Sequence, residues 1–167
     1  QTYILTIDQE KAFDKVSIEF LDKVLQTMNF GQYFRNWIKA IYTNITSDIH
    51  NNVYFSERVS IKRKVRQGCP LSPLLYTLIV ETLAEAIKQD PLIRGYKLGG
   101  ADIKISQYAD DTTIFLRDLA SYSQLATLIT RFECGTGSTI NKQQTEGLYI
   151  SSREKPFELS DIAWKNE

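Results

Sequence analysis

Hydrophobic residues follow strand-like and helix-like spacings in turn along the chain. Residues 3–7 form a β-prone run that ends at Asp8, which predicts a mostly buried strand. From Ser17 hydrophobic residues recur every three or four positions as far as Gly31, which predicts a helix that the glycine ends. A second helical stripe follows directly, and we expect its Trp37 to be a core aromatic residue. The members of this stripe are Phe34, Trp37, Ile38, Ile41, Tyr42 and Ile45.

The middle of the chain predicts a hairpin followed by a central helix. Residues 48–64 alternate loosely between hydrophobic and polar positions, as the strands of a hairpin do. Ser72 before Pro73 predicts a helix start, because serine caps helices well and proline suits the first helical position. The helix runs to about Gln89, and its wide hydrophobic face places it at the centre of the core. That face consists of Leu74, Leu75, Leu78, Ile79, Leu83, Ala86 and Ile87.

The second half of the chain contains further strands and one more helix. Gly99-Gly100 is a turn signal between two strand candidates, and another strand follows Asp111. An amphipathic helix comes next, closed by Gly135 and Gly137, before a last short strand. This order predicts an α+β fold, most simply an antiparallel sheet with helices packed on one face. The strand candidates are residues 93–98, 103–108 and 148–150, and the helix carries Leu125, Leu128, Ile129 and Phe132.

Length and composition fit one intracellular domain. With 167 residues, 43% of them hydrophobic, the chain can bury a sizeable core, so we expect residues 1–150 to form a domain and residues 151–167 a polar tail. Cys69 and Cys134 make neither a disulfide framework nor a zinc site, which favours a reducing compartment such as the cytoplasm or nucleus. No hydrophobic run approaches the ~20 residues of a membrane span. Because the chain starts at Gln1 on a hydrophobic strand, we expect it to be part of a longer protein.

Charge is balanced overall but clustered locally. The chain has 20 Lys+Arg and 20 Asp+Glu, which argues weakly against a dedicated nucleic-acid binder. Four cations nevertheless fall within five residues: Lys62, Arg63, Lys64 and Arg66. Such a cluster can hold a phosphate backbone, or it can protect an exposed strand edge from aggregation. Charge alone favours the second interpretation and leaves the first open.

Two adjacent carboxylates, Asp110 and Asp111, lie between hydrophobic β-formers. This pattern predicts a hairpin whose tip presents both groups, although Asp-Asp pairs also occur in ordinary turns. Like charges this close repel each other unless a cation lies between them. In an antiparallel sheet, Asp8 at the end of the first strand can lie beside such a tip. Three converging carboxylates could hold two divalent ions and support phosphoryl transfer. A two-metal phosphohydrolase would fit less well, because further carboxylate or histidine ligands are missing.

Three segments, taken in order, resemble the palm motifs of reverse transcriptases. They are residues 8–14, containing Lys11-Ala12-Phe13-Asp14, residues 66–73, which read Arg-Gln-Gly-Cys-Pro-Leu-Ser-Pro, and residues 108–111, Tyr-Ala-Asp-Asp. The variants are similar to those of non-LTR (LINE-type) retrotransposons, with group II intron enzymes as the nearest alternative. The resemblance covers residues 2–150. It implies a polymerase palm with an RRM- or ferredoxin-like sheet, without its fingers and thumb, and a tail that begins the connection to the thumb.

The resemblance also implies an activity and a metal site. The implied enzyme is an RNA-directed DNA polymerase that extends a DNA primer on an RNA template with deoxynucleoside triphosphates. It implies two Mg²⁺ ions, for which Mn²⁺ can substitute, and no membrane; the sequence carries no signal of the oligomeric state. Asp8, Asp110 and Asp111 would be the catalytic and metal-binding residues, and the Gln9 carbonyl would be a further ligand.

Nucleotide and nucleic-acid contacts are implied in the same way. Phe13 matches the bulky residue beneath the sugar that excludes a 2′-hydroxyl, and Gln67 and Gly68 match the residues that line the incoming nucleotide. The residues implied to contact nucleic acid are Lys62, Lys64, Arg66 and Tyr108.

One position departs from the family pattern. The lysine proposed to protonate the leaving pyrophosphate is replaced by Gln144 within the segment Asn-Lys-Gln-Gln-Thr, residues 141–145. Glutamine cannot donate a proton in this way. Lys142 is a possible substitute as general acid, although its side chain would leave the strand or turn in a different direction. This departure and the missing fingers keep a second hypothesis open, in which the chain is a catalytically dead palm remnant that binds RNA or a protein partner.

Overall fold

The computed structural model describes residues 2–10, 15–60, 69–108 and 111–150, and the backbone of residues 163–166. Within these residues the chain forms four helices: α1 (Ile18–Thr27), α2 (Gln32–Tyr42), α3 (Leu71–Gln89) and α4 (Leu119–Thr136). The strands are β1 (Thr2–Ile7), β2 (Gln9–Glu10), β3 (Thr46–Ser47), β4 (His50–Asn51), β5 (Tyr54–Phe55), β6 (Val59–Ser60), β7 (Tyr96–Leu98), β8 (Ala101–Ile103), β9 (Ile105–Tyr108), β10 (Asp111–Leu116), β11 (Thr139–Ile140), β12 (Glu146–Ile150) and β13 (Ala163–Asn166).

The main sheet has five strands in the order β13-β12-β1-β10-β9. β1 is antiparallel to both of its neighbours, β10 and β12, whereas β13 adds parallel to β12. The predicted α+β fold with a largely antiparallel sheet is therefore confirmed. β13 lies within the segment predicted as a polar tail, and the domain boundary at residue 150 stays a prediction.

The helices cover one face of the sheet, as predicted. Along β1 the residues Tyr3, Leu5 and Ile7 are buried, while the residues between them are more accessible. α3 packs on β9, α4 packs on β10, and both helices contact α1. α3 is central to the core, which confirms its predicted place. Its buried residues are Ser72, Leu75, Tyr76, Ile79, Val80, Leu83, Ala84 and Ile87.

Two helix ends differ from the sequence prediction. α3 begins at Leu71, so Ser72 is not its cap; its hydroxyl is buried 3.3 Å from the Tyr42 hydroxyl. α1 ends at Thr27, before Gly31, because Asn29 adopts the left-handed conformation (φ 59°) that reverses the chain. The residue that closes α4 is Gly137 (φ 78°), as predicted, whereas Gly135 lies within the helix.

The prediction for Trp37 was wrong, because its side chain is 69% exposed. The buried positions of this stripe are Ile38, Tyr42 and Ile45, whose spacing of four and three forms a narrow strip facing the core. Trp37 is about 100° around the helix from Ile38, on the outer flank. α2 packs against α1, and only this narrow strip is buried. The hydrophobic stripe in the sequence is therefore wider than the face of α2 that the core covers.

The hairpin predicted over residues 48–64 is found at residues 46–60, with β3 paired to β6 and β4 paired to β5, and residues 61–64 lie outside the described residues. Its residues are exposed, and His50 stacks on Phe55 with ring centroids 4.3 Å apart. A second hairpin joins β7 to β8 through Gly99 and Gly100, both at positive φ. Among the described residues, no helix combines the length and hydrophobicity that crossing a membrane would require.

Candidate active site

Asp8 and Asp111 occupy neighbouring positions on adjacent strands. The last register pair between β1 and β10 is Ile7 with Thr112, so the next residue on each strand is one of these aspartates. In an antiparallel pair, directly opposite residues point to the same face, with Cβ atoms about 4.5–5.5 Å apart. The structure therefore brings these two of the three predicted carboxylates together.

Both carboxylates face away from the helices. Ile7, Thr112 and Gln9 are buried, whereas Asp8 is half-buried and Asp111 is exposed. This alternation of period two places the aspartates on the accessible face of the sheet. Substrate can approach that face without displacing the core.

The hairpin of β9 and β10 carries Asp111. Its last pair is Tyr108 with Asp111, which leaves Ala109 and Asp110 between them and outside the described residues. At the base of the hairpin the Gln107 Nε2 donates a 3.0 Å hydrogen bond to the buried Thr112 Oγ1. Tyr108 is 84% exposed, so its ring is accessible beside Asp111.

Backbone and side chain both fix the segment of Asp8 and Gln9. The Asp8 carbonyl accepts a 2.9 Å hydrogen bond from the Asn141 N–H, and the Gln9 Oε1 accepts one of 2.9 Å from the hydroxyl of Tyr76 in α3. The Ile140 N–H donates to Glu133 Oε1 at 2.7 Å rather than to β2. Gln9 and Ile140 therefore form a pair that exchanges no ladder hydrogen bonds, and the Gln9 carbonyl points away from β11.

The turn at residues 141–144 lies close to Asp8 in space. The N–H groups of Gln144 and Thr145 donate to the Asn141 carbonyl at 3.2 and 2.9 Å, and the Asn141 side-chain amide donates to the Gln144 Oε1. Gln144 is thus engaged within the turn. Lys142 is exposed and lines a cavity of about 270 Å³ between β1 and α4, on the helix side of the sheet.

Cys69 lies just before α3 and is half-buried, whereas Cys134 is exposed. The pKa of the Cys69 thiol is lowered, chiefly by a hydrogen bond from the Leu71 backbone, against an opposing effect of burial.

Several predicted site residues lie outside the described residues, and their roles stay predictions. They are Phe13, Lys62, Lys64, Arg66, Gln67, Gly68 and Asp110. Sequence reasoning also missed Tyr76. It follows the buried Ser72 at a spacing of four and is continued by Ile79 and Leu83 on the same buried face, so helical periodicity alone could have indicated it.

The described carboxylates suit a hard divalent cation. Asp8 and Asp111 supply carboxylate oxygens, which Mg²⁺ prefers, and within the described residues neither forms an ion pair with Lys or Arg. No set of three or more His, Cys, Asp or Glu side chains that could hold a metal occurs in the described part of the chain. The third predicted carboxylate, Asp110, lies outside that part.

Comparison with known proteins identifies relatives along nearly the whole chain. The family model described as "Reverse transcriptase (RNA-dependent DNA polymerase)" matches residues 1–159. An uncharacterized 149 kDa protein of transposon TX1 from Xenopus laevis is 30% identical over 98% of the chain. A Pol polyprotein of the type-1 retrotransposable element R2 from Popillia japonica is 28% identical over 94% of it. The chain spans 13% of the first relative and 23% of the second.

Solved structures show the same fold. A telomerase from Candida albicans, in complex with a TWJ fragment of telomeric RNA, matches with a TM-score of 0.62 and 16% identity, over 93% of this chain and 28% of that one. An apo telomerase from Candida tropicalis matches with a TM-score of 0.61 and 14% identity, over 93% of this chain and 32% of that one. The sheet and helices thus have the arrangement of a telomerase reverse transcriptase domain. On the family match, the chain belongs to the reverse transcriptase family and is related to the Pol proteins of non-LTR retrotransposons.

Proposed function

We propose that residues 1–150 are the palm of a retrotransposon RNA-directed DNA polymerase, which joins deoxynucleotides to a primer 3′-hydroxyl and releases pyrophosphate. The observation that carries the proposal is the juxtaposition of Asp8 and Asp111 on the accessible face of the sheet. They belong to two separate family motifs, 103 positions apart in the sequence.

Asp8, Asp110 and Asp111 are the proposed metal ligands, together with the Gln9 carbonyl. The Gln9 carbonyl points away from β11 and accepts no hydrogen bond from that strand, which supports its role as a metal ligand. Bound there, Mg²⁺ or Mn²⁺ supplies the electrostatic stabilisation that in-line phosphoryl transfer requires. The protein's own contribution is to hold the two strand ends rigidly side by side.

The remaining predicted residues would position the substrates. Phe13 would sit beneath the sugar, and Gln67 and Gly68 would line the incoming nucleotide. The accessible ring of Tyr108 beside Asp111 supports a nucleic-acid contact, because exposed aromatic rings stack on bases. Phosphate contacts are assigned to Lys62, Lys64 and Arg66.

Lys142 is the proposed general acid toward the leaving pyrophosphate. It follows Asn141, whose N–H binds the Asp8 carbonyl. Its side chain lines the cavity on the helix side of the sheet, opposite the carboxylates, so this role requires the side chain to move to the carboxylate face. Gln144 has no acidic proton to give, and its amide oxygen accepts from Asn141.

Primer extension by a longer protein that contains this chain tests the proposal. Asp8→Asn and Asp110→Asn should abolish extension of a DNA primer on an RNA template in Mg²⁺, while the fold survives. Asp48→Asn is the matched control, because this carboxylate lies outside the site, 3.6 Å from Arg58, and extension should persist. Extension by either site variant at the wild-type rate would contradict the proposal.

A palm remnant that binds RNA or a protein partner without catalysis is the second candidate function. Gln144 at the position of the family lysine favours it. This candidate predicts RNA binding without Mn²⁺ uptake and without extension by the wild-type protein. Filter binding and Mn²⁺ titration on the same preparation would separate the two functions.

A further inference from the structure

A buried hydrogen bond joins Gln9, the residue after Asp8, to the central helix. The hydroxyl of Tyr76 in α3 donates to the Gln9 Oε1 at 2.9 Å, across 67 residues of sequence. Tyr76 is only 1% exposed and Gln9 only 8%. A buried amide oxygen depends on such a donor, because bulk water cannot replace it.

Gln9 is placed to transmit this contact to the site. Its side chain points into the core while Asp8, the preceding residue, points to the accessible face. From the other side, Asn141 holds the Asp8 carbonyl. The peptide between Asp8 and Gln9 is therefore held at two points, and Tyr76 supplies the one that reaches across the core.

In the sequence, the helix that provides Tyr76 closely follows the predicted nucleotide contacts. α3 begins at Leu71, shortly after Gln67 and Gly68 in the sequence. Tyr76 lies in the second turn of this helix, and its ring is packed in the core cluster. The position of α3 is thus coupled to the backbone at Asp8 and Gln9, which supplies two ligands of the proposed metal site.

We infer that Tyr76 is a positioning residue for divalent-cation binding, acting through the Gln9 side chain on the Asp8 carboxylate and the Gln9 carbonyl. The inference rests on the proposed function, because it requires the metal site at Asp8. It adds a residue that touches neither metal nor substrate. Outer partners of this kind typically alter metal affinity about 10- to 100-fold when removed.

Mn²⁺ binding by the full 167-residue chain, followed by calorimetry or electron paramagnetic resonance, tests the inference. Tyr76→Phe removes one hydroxyl and keeps the ring, and it should weaken Mn²⁺ binding about tenfold. Tyr149→Phe is the matched control, because the Tyr149 hydroxyl is buried without a hydrogen-bond partner in the described residues. That variant should bind Mn²⁺ as the wild type does.

A double variant separates positioning from general packing. If Tyr76 acts through Gln9, Tyr76→Phe combined with Gln9→Leu should bind Mn²⁺ no more weakly than the weaker single variant, since both remove one interaction. Additive losses would overturn the inference. If Tyr76→Phe fails to fold, the double variant is measured instead, because it leaves no buried amide without a hydrogen-bond partner. Wild-type Mn²⁺ affinity in the double variant would equally overturn the inference.

The same titration distinguishes failure of the inference from failure of the proposed function. Mn²⁺ binding lost in Asp8→Asn but unchanged in Tyr76→Phe would refute the positioning role and leave the metal site standing. Binding that is absent in the wild type, or unchanged in Asp8→Asn, would refute the proposed metal site, and the inference with it.

Discussion

Arg35 in α2 donates two hydrogen bonds of 2.8 Å to the two carboxylate oxygens of Asp22 in α1. Lys39, one helical turn further along α2, forms a 2.8 Å ion pair with the same carboxylate. Asp22 and Arg35 are largely shielded from solvent, with side chains 17% and 11% exposed. This forked contact fixes the two N-terminal helices against each other in a way that hydrophobic contact alone would not.

The ion pair predicts an acid-dependent loss of stability. Hydrogen bonds from Arg35 and then Lys39 lower the pKa of Asp22 from 3.8 to about 2. Because the folded pKa lies below the unfolded one, the stabilisation is complete above the unfolded value and disappears as the pH falls through the folded value. Asp22→Asn should lower the free energy of unfolding by about 1 kcal/mol at pH 7. Urea unfolding should show this difference closing between pH 4 and pH 2. The exposed Glu19→Gln in the same helix is the control, and a difference that is independent of pH would contradict the prediction.

As the N-cap of α4, Asp118 should contribute measurably to the free energy of unfolding. Its carboxylate accepts 2.8 Å hydrogen bonds from both the N–H and the hydroxyl of Ser121. Burial alone would raise its pKa, but these hydrogen bonds, together with the charges of Arg94 and Arg117, lower it below its usual value. Asp118→Ala should cost about 1 kcal/mol in thermal or urea unfolding, while Asp118→Asn, which can still cap, should cost clearly less. Equal losses in both variants would show that charge, and not capping, is the source.

Gly95 should not tolerate a side chain. A Cβ atom there would lie 2.2 Å from the backbone carbonyl oxygen of Ile103, which cannot move without disturbing the β7–β8 hairpin. Gly95→Ala should therefore destabilise the protein by about 1–3 kcal/mol. Gly31→Ala is the steric control, because a Cβ at that position meets nothing within 4 Å. Since Gly31 is the N-cap of α2, where alanine caps poorly, this variant should lose less than about 1 kcal/mol. Circular-dichroism melting of the two variants would check this; similar midpoints would count against the close approach.

Truncation of two neighbouring residues of α2 should change the free energy of unfolding by very different amounts. Ile38 is 3% exposed and Trp37 is 69% exposed. Ile38→Ala should cost about 2–5 kcal/mol through lost burial and the cavity left behind. Trp37→Ser should stay within about 0.5 kcal/mol of the wild type, as surface substitutions usually do. Chemical denaturation measures both, and a large loss in Trp37→Ser would mean that its ring is buried after all.

Removing the amine of Lys142 tests the proposed general acid. In a longer protein with polymerase activity, Lys142→Gln should slow the chemical step by about 100-fold, as general acids typically contribute. Lys97→Gln on the exposed strand β7 is the control for loss of positive charge. Single-turnover nucleotide addition across pH isolates the step. An unchanged rate would remove Lys142 from the mechanism.

Local sequence pattern predicted the elements better than their contacts. The spacing of hydrophobic residues and the turn signals located β1, β10, β12 and the four helices, because each depends on nearby residues. Placing Asp8 beside the hairpin needed only the rule that, in an antiparallel sheet, the end of one strand lies beside the start of its neighbour. Exposure of Trp37 depends on how much of α2 its neighbours cover, and the Tyr76–Gln9 bond depends on packing between distant segments. Neither is encoded in a short window of sequence.

The central place of β1 constrains the order in which this protein can fold. β1 pairs with β10 and β12, so Thr2 finds its partner at Ile150 and Tyr3 at Leu116. During synthesis β1 therefore lacks both of these partners until more than 110 further residues have been made. Contacts this distant in sequence make folding slow, and they leave a hydrophobic strand unpaired in the meantime. The strand that leads to Asp8 is thus exposed to wrong pairing until β10 and β12 have been synthesised.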